Sequence, residues 1–306
     1  MVIVAALYEF RNFPNFKDVR KPLFDLCHKN GVVGSLLLGS EGINGTISGT
    51  RNAINSIKDY LVNTLGFKGL EYKESFADTQ PFYRLKVKLK KEIVTLGVEG
   101  LDPNDKKGTY LNSREWDALI ADPNTVLVDT RNDYECRVGS FKGAIDPKIK
   151  KFTDFPKFVE ENIEKWKDKK VAMFCTGGIR CEKSTALMRH LGVDDVFHLK
   201  GGILKYIEET PEEKSLWDGG CYVFDHRVVV SHGLKLTDYK SCGACREPIS
   251  KKDRASELFE HGVSCPFCHG KRTEKQLKTA RDRQFQINLA EKQGTKHMGA
   301  VIGHNQ

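Results

Sequence analysis

Apolar and polar positions along the chain follow three successive patterns, and each predicts a different kind of domain. In the first, residues 2–10 read as a strand; Phe16, Val19, Leu23 and Leu26 then recur at helical spacing after the turn residues Pro14 and Asn15. Residues 32–38 and 45–48 read as two strands joined by Ser40-Glu41-Gly42-Ile43-Asn44-Gly45, whose glycines suit a tight reversal. Thr50 is placed to cap a helix whose apolar face is Ile54, Ile57, Leu61 and Leu65, and residues 82–87 supply a last strand, with Arg84, Lys86 and Lys88 alternating. In the second pattern, short apolar runs at 126–129, 170–174 and 196–199 alternate with helical segments. These helices are predicted at 113–121, 153–166, from about Arg180 or Cys181 to Leu191, and at 203–208. Such alternation predicts a parallel sheet flanked by helices, with ligands beyond the carboxyl ends of its strands. A stretch rich in Gly, Pro, Asp and Lys, residues 97–108, separates the two patterns. The third pattern is an extended segment, 221–230, followed by paired cysteines and a basic tail.

The β-α-β-β-α-β order of residues 1–95 implies a ferredoxin-like or acylphosphatase-like sandwich, two helices on an antiparallel sheet. Gly39, Gly42 and Gly45 lead into a strand rather than a helix, which argues against a dinucleotide motif, and no nucleotide cofactor is predicted. The hairpin they form is a candidate for substrate contact because loops at sheet ends often carry function.

The chemistry is concentrated in Phe174-Cys175-Thr176-Gly177-Gly178-Ile179-Arg180-Cys181-Glu182-Lys183-Ser184, which puts a cysteine between a strand and a helix. Two glycines let the backbone curl so that several N–H groups point inward, and the helix adds the positive end of its dipole. A sulfur anion seated there is stabilised: an ordinary cysteine pKa of about 8.5 falls to about 3.5–7.5 in such settings. The alternative is a buried structural cysteine at a strand end. Asp129-Thr130-Arg131-Asn132-Asp133-Tyr134-Glu135 upstream and His198-Leu199-Lys200-Gly201-Gly202 downstream complete an ordered set of motifs that closely resembles the rhodanese domain over residues 124–213. Four residues separate Cys175 from Arg180, one fewer than in the related Cys-x5-Arg phosphatase loops. By that resemblance the loop fits a persulfide or another small sulfur-borne group better than a phosphate. The resulting plan is a ferredoxin-like domain at 1–95, a linker at 96–112, a rhodanese-like domain at 113–216 and a cysteine-rich module with a basic tail at 217–306.

Within that last module, Cys242-x2-Cys245 and Cys265-x2-Cys268 lie nineteen residues apart. Each pair can bite one metal ion from a tight turn, and four thiolates make the tetrahedral soft site that zinc favours, so a structural zinc is expected. Redox-active cysteine pairs are the alternative. His261 and His269 read as surface residues beside it.

Composition bounds rather than selects. Of the 306 residues, 39% are hydrophobic and 29% charged, which suits a folded globular protein. No apolar segment approaches the roughly 18 residues of a membrane span, and no basic region precedes the apolar start as in a signal peptide; the expected location is the cytoplasm, with no membrane partner. Nine cysteines, two Cys-x2-Cys pairs among them, suit metal and thiol chemistry better than a disulfide framework. The net charge of +8 is uneven: from Lys271 to Lys296 eight Lys or Arg face three Asp or Glu. Such a run is either a solvated helix face or a surface that contacts phosphates.

Taken together, Gly39 to Thr46, Asp129 to Glu135, Cys175 to Ser184, Gly220 to Arg227 and the four paired cysteines closely resemble the bacterial rhodanese-domain tRNA uridine hydroxylases. That resemblance implies oxygen-dependent formation of 5-hydroxyuridine at the wobble position, with molecular oxygen as co-substrate and the tRNA anticodon loop as partner. On this reading Cys175 is the nucleophile or persulfide carrier and Arg180 stabilises the anion. Thr176, Gly177, Gly178, Ile179, Cys181, Asp129, Arg131 and Glu135 support the loop, with Cys181 also a candidate resolving thiol. Lys271, Arg272, Lys275, Lys278, Arg281 and Arg283 are the expected phosphate contacts, and Cys242, Cys245, Cys265 and Cys268 the metal ligands. A rhodanese-type sulfurtransferase passing persulfide sulfur to a small acceptor or RNA remains open as the alternative, and a non-catalytic RNA-binding scaffold is a further one.

Overall fold

The computed structural model describes residues 1–295, which form two compact units, Met1–Val223 with Val230–Lys235, and Phe224–Val229 with the chain from Leu236 onward. Lys296, counted above in the basic run, lies outside the described residues.

The first unit opens with β1 (Val2–Phe10), α1 (Phe16–Lys29), β2 (Val33–Gly39), β3 (Gly42–Gly49), α2 (Arg51–Asp59), β4 (Glu71–Ala77) and β5 (Leu85–Leu89). Their sheet has the order β4-β1-β3-β2-β5. β1 pairs antiparallel with β3 and β4, β2 antiparallel with β3, and β5 runs parallel to β2. The Thr50 hydroxyl accepts the Ala53 N–H and so starts α2. At the β2–β3 reversal Gly42 has φ +135°, and a Cβ there would lie 2.0 Å from the Glu9 carbonyl oxygen, so only glycine fits. One expectation is corrected here. The strand that closes the β-α-β-β-α-β unit beside β1 is β4, not the segment predicted at 82–87, which becomes β5 and lies beside β2 at the opposite edge.

Alternation along β1 explains its apolar character. Ile3, Ala5 and Leu7 point to the helical side, where Leu23, Leu36, Ile54, Ile57 and Leu61 have no exposed surface. Tyr8 and Phe10 point the other way and pack with Ile93 and with Ile179 of the next domain. A strand covered on both faces carries few polar positions.

That next domain contains β6 (Thr109–Leu111), α3 (Ser113–Ile120), β7 (Thr125–Asp129), α4 (Asp133–Cys136), β8 (Gly139–Phe141), α5 (Phe155–Asn162), β9 (Lys170–Phe174), α6 (Ile179–His190), β10 (Val196–Leu199), α7 (Gly202–Glu209) and β11 (Trp217–Gly219). Its main sheet has the order β6-β10-β9-β7, all parallel. The stretch read as linker is only partly free of the fold: Leu96 is buried, Val98 and Leu101 are half-buried against the sheet's core, and β6 forms an edge strand, while most of the remaining residues are exposed. The helix predicted at 153–166 is α5 flanked by 3-10 turns at Phe152–Asp154 and Ile163–Lys165. Trp217, Cys221 and Val223, read with the third module, lie in this domain's core, and β11 pairs with β8. The second unit holds short antiparallel strands Lys240–Ser241 and Pro248–Ile249, then α8 (Lys251–Arg254) and α9 (Glu274–Lys292). A capping box between Thr273 and Gln276 starts α9.

Candidate active site

β9 ends at Phe174, and the next residue, Cys175, has no exposed surface. Gly178 adopts φ +104° as the residue before α6, and its N–H donates to the Cys175 sulfur at 3.1 Å. The loop is locked from behind: the Cys175 carbonyl accepts the Ile203 N–H at 3.0 Å and the Thr176 carbonyl the Leu204 N–H at 3.1 Å, so the first turn of α7 holds the loop backbone. Burial pushes the Cys175 thiol up, but a hydrogen bond from the Cys181 thiol, the Arg180 guanidinium and the N–H groups of Cys181 and Gly178 outweigh it, bringing it down to about 5. Cys181 moves the opposite way, raised by burial and by the neighbouring sulfur anion. The pair therefore holds one thiolate and one thiol near neutral pH.

Arg180 meets Glu135 through two parallel bonds of 2.7 Å, and Thr176 donates to the same carboxylate at 3.2 Å. Glu135 in turn accepts the Asn132 N–H and thereby fixes the start of α4. Behind it, Asp129 and Arg131 form a second two-bond pair at 2.8 and 2.6 Å, with no exposed side-chain surface on either. Arg131 also donates to the Gly139 carbonyl at 2.7 Å and lies over the Trp217 ring. The eight loop and bracing residues predicted around Cys175 and Arg180 thus lie together, six of them buried and Gly177 and Ile179 half-buried, with Glu135 touching the loop directly and Asp129 and Arg131 one layer further back.

Five side chains beside the loop escaped sequence reading. Lys73, on β4, donates to the Gly177 carbonyl at 2.7 Å and also to the Gly201 carbonyl. Tyr8, on β1, and Tyr110, on β6, both donate to Glu182, at 3.0 and 2.8 Å. Burial raises the Glu182 carboxyl above its ordinary value despite those two hydroxyls. Lys183, only 2% exposed, is paired with Glu41 of the β2–β3 hairpin at 2.8 Å and with Glu92. The hairpin singled out for substrate contact therefore uses Glu41 to seat α6. Residues 180–188 of this helix are buried on every side, and its charged members find partners in different layers, as buried charges require.

In the second unit the sulfurs of Cys242, Cys245, Cys265 and Cys268 lie within 4.8 Å of one another. The Cys242–Cys268, Cys245–Cys265 and Cys265–Cys268 separations are 3.9, 3.7 and 3.7 Å. A tetrahedron with metal–sulfur bonds of about 2.3 Å has edges of about 3.8 Å, so the four thiols could hold a metal ion and the spacing is compatible with zinc. His261 and His269 are outside this cluster. The six basic residues divide into two groups. Arg272 donates to the Ala244 carbonyl, Arg283 to those of Gly243 and Gly262, and Arg281 pairs with Glu260 at 2.6 Å. Lys271, Lys275 and Lys278 are exposed. Arg272, Lys275, Gln276, Thr279, Ala280 and Arg283 line a shallow cleft of about 330 Å³ along α9. Among the described residues no helix is long and apolar enough to cross a membrane.

A thiolate held at the carboxyl end of a parallel strand by a glycine-built loop defines the class, and comparison agrees: the family model for the Rhodanese-like domain matches residues 113–209. The model described as UPF0176 acylphosphatase like domain matches residues 2–93. A protein named tRNA uridine(34) hydroxylase from Agrobacterium fabrum is 55% identical over 97% of this chain and 95% of its own length. Its namesake from Teredinibacter turnerae is 53% identical over 97% and 92%. Among solved structures, a rhodanese-related protein from Thermoplasma volcanium is 24% identical, covering 33% of this chain and 92% of its own, with a TM-score of 0.27. The chain belongs to the tRNA uridine(34) hydroxylase family.

Proposed function

We propose that this protein hydroxylates C5 of uridine 34 in the tRNA anticodon loop, with Cys175 as nucleophile and molecular oxygen as co-substrate. The observation that carries this reading is the Cys175 thiolate, held by the Gly178 N–H and by the positive charge of Arg180, in a chain of this family. Attack of the sulfur on C6 forms a C–S bond and moves the C5=C6 electron pair onto C5 and the adjacent carbonyl oxygen. The electron-rich C5 takes one atom of O2; loss of the C5 proton and departure of sulfur restore the double bond. The second oxygen atom leaves as water, with two electrons and two protons from a thiol reductant.

Arg180 and the loop amides hold the sulfur anion before attack and receive it again on departure, while Glu135 keeps Arg180 in place. An anticodon base is already unpaired, so moving it into the site costs little. Lys271, Lys275 and Lys278 position the tRNA backbone, Arg281 exchanging Glu260 for phosphate as it binds, and Arg272 and Arg283 contribute charge while bracing the module. The four-cysteine cluster holds a structural zinc, which keeps this small unit folded. The test is hydroxylation of purified tRNA in the presence of O2 and a dithiol, read as a one-oxygen mass gain at uridine 34 with label from ¹⁸O2. C175S is expected to abolish it. Thiosulfate sulfur transfer to cyanide or a small thiol, with no tRNA product, would instead establish the sulfurtransferase reading.

A further inference from the structure

The Cys175 loop is completed by the N-terminal sheet. β1 and β4 pair so that Ala6 faces Lys73, and Tyr8, two residues further on, lies on the same side of the sheet. That side meets the rhodanese-like domain: a Cβ on Gly178 would stand 2.9 Å from the Tyr8 hydroxyl, and the Lys73 ammonium bonds the carbonyls of Gly177 and Gly201. The Gly177 carbonyl and the Gly178 N–H belong to one peptide group. Lys73 therefore pulls on the oxygen end of the peptide whose N–H end holds the Cys175 sulfur at 3.1 Å. A hydrogen bond at one end of a peptide polarises it and strengthens the bond at the other. The ammonium also adds a positive charge to a site of low dielectric.

We infer that Lys73 is a positioning residue of the sulfur site, acting through the Gly177–Gly178 peptide and through its charge to hold Cys175 as an anion. The acylphosphatase-like domain is then part of the reactive centre rather than an appendage to it. Burial brings Lys73 down to about 8; the Cys175 anion, Glu71 and Glu208 act against that shift and Lys205 with it. Between the titration of Cys175 near 5 and that of Lys73 near 8, thiolate and ammonium are both charged. Above that window the ammonium loses its proton and the support weakens.

This inference rests on the proposed role of Cys175, but its test needs neither tRNA nor hydroxylation. Thiolate absorbance near 240 nm is titrated in the full-length, metal-loaded protein, with the C175S titration subtracted. K73M removes both charge and hydrogen bonds; K73Q keeps an N–H donor for the glycine carbonyls and removes only the charge. Both are expected to raise the Cys175 midpoint by about one pH unit or more, the usual effect of an opposite charge at close range. K73R is expected to leave it within a few tenths. Midpoints in K73M and K73Q that both equal that of the wild type overturn the inference, even if the melting temperatures fall, because a purely structural lysine would lower stability without moving the titration; a rise in K73M alone assigns the effect to the peptide hydrogen bond. A low midpoint in every Lys73 variant, with no tRNA product from the wild type, would overturn both this inference and the hydroxylase reading; a raised midpoint without product would overturn only the latter.

Discussion

Arg180 and Glu135 face each other through two parallel 2.7 Å hydrogen bonds, and the carboxylate has no exposed surface at all. A buried pair of this kind is costly to break because the survivor is left charged and unsolvated. E135A is expected to destabilise the first unit by about 3–5 kcal/mol, read by urea unfolding. The pH dependence has a definite sign. Burial pushes the Glu135 carboxyl up, but the Arg180 guanidinium outweighs it and holds the group below its ordinary value. Its contribution is therefore fully present above the unfolded pKa of about 4.3 and is lost as pH falls through the lower folded value. Unfolding of the wild type should steepen below about pH 4.3, whereas E135Q, which cannot titrate, should show a shallower loss.

Much of this site is legible in the sequence because its elements are local. The strand, the two glycines and Arg180 are contiguous, so the loop follows from short-range geometry, and the paired cysteines announce their cluster by spacing alone. β4 is not legible for the opposite reason. Glu71-Tyr72-Lys73-Glu74-Ser75 has polar residues where a strand with a free face has them and where a buried strand has apolar ones. Its inner face meets another domain through the Lys73 ammonium instead of an apolar side chain, and that partner lies 104 positions away. The same holds for α6: Glu182 and Lys183 look like solvent-facing residues until Tyr8, Glu41 and Glu92 are brought to them by the fold.

The basic residues of α9 and its approach should separate into binding and bracing groups. K275E and K278E are expected to weaken tRNA binding and to reduce the salt dependence of log K by about 0.7–0.9 per lost phosphate contact, without changing the melting of the second unit. R283A should instead lower that melting, since its guanidinium ties α9 to the carbonyls of Gly243 and Gly262. Binding isotherms at several salt concentrations, together with thermal melts, distinguish the two. Unchanged affinity in both lysine variants would remove this surface from the tRNA-binding model.

Removal of the proposed zinc ion should act on one unit. Structural zinc in small domains contributes about 10–16 kcal/mol of apparent binding energy, enough to decide whether the second unit folds. Chelation, or C265S, is expected to expose the amides of residues 240–292 to hydrogen exchange while those of β9 and α6 keep their protection. Native mass spectrometry should show one ion per chain before treatment and none after. Protection that survives complete metal loss would mean that the cluster is held by packing alone.

Gly202 tests whether the loop tolerates any displacement of its backbone. It adopts φ +67°, and a Cβ there would lie 2.6 Å from the Cys175 carbonyl oxygen and 2.8 Å from the nitrogens of both Gly177 and Gly178. Those contacts are with backbone, which cannot rotate away as a side chain does. The substitution is also strained by its positive φ, at a cost of about 1–3 kcal/mol. G202A should therefore push the Gly178 N–H out of line with the sulfur. The Cys175 absorbance midpoint should move up by about one unit, and tRNA hydroxylation should fall by at least about tenfold, the rate change for each 1.36 kcal/mol of barrier. Gly177, whose Cβ would meet nothing within 4 Å, is the internal control. G177A should retain the midpoint and most of the activity; equal losses in both variants would show that loop flexibility, not the position of this one peptide, limits the reaction.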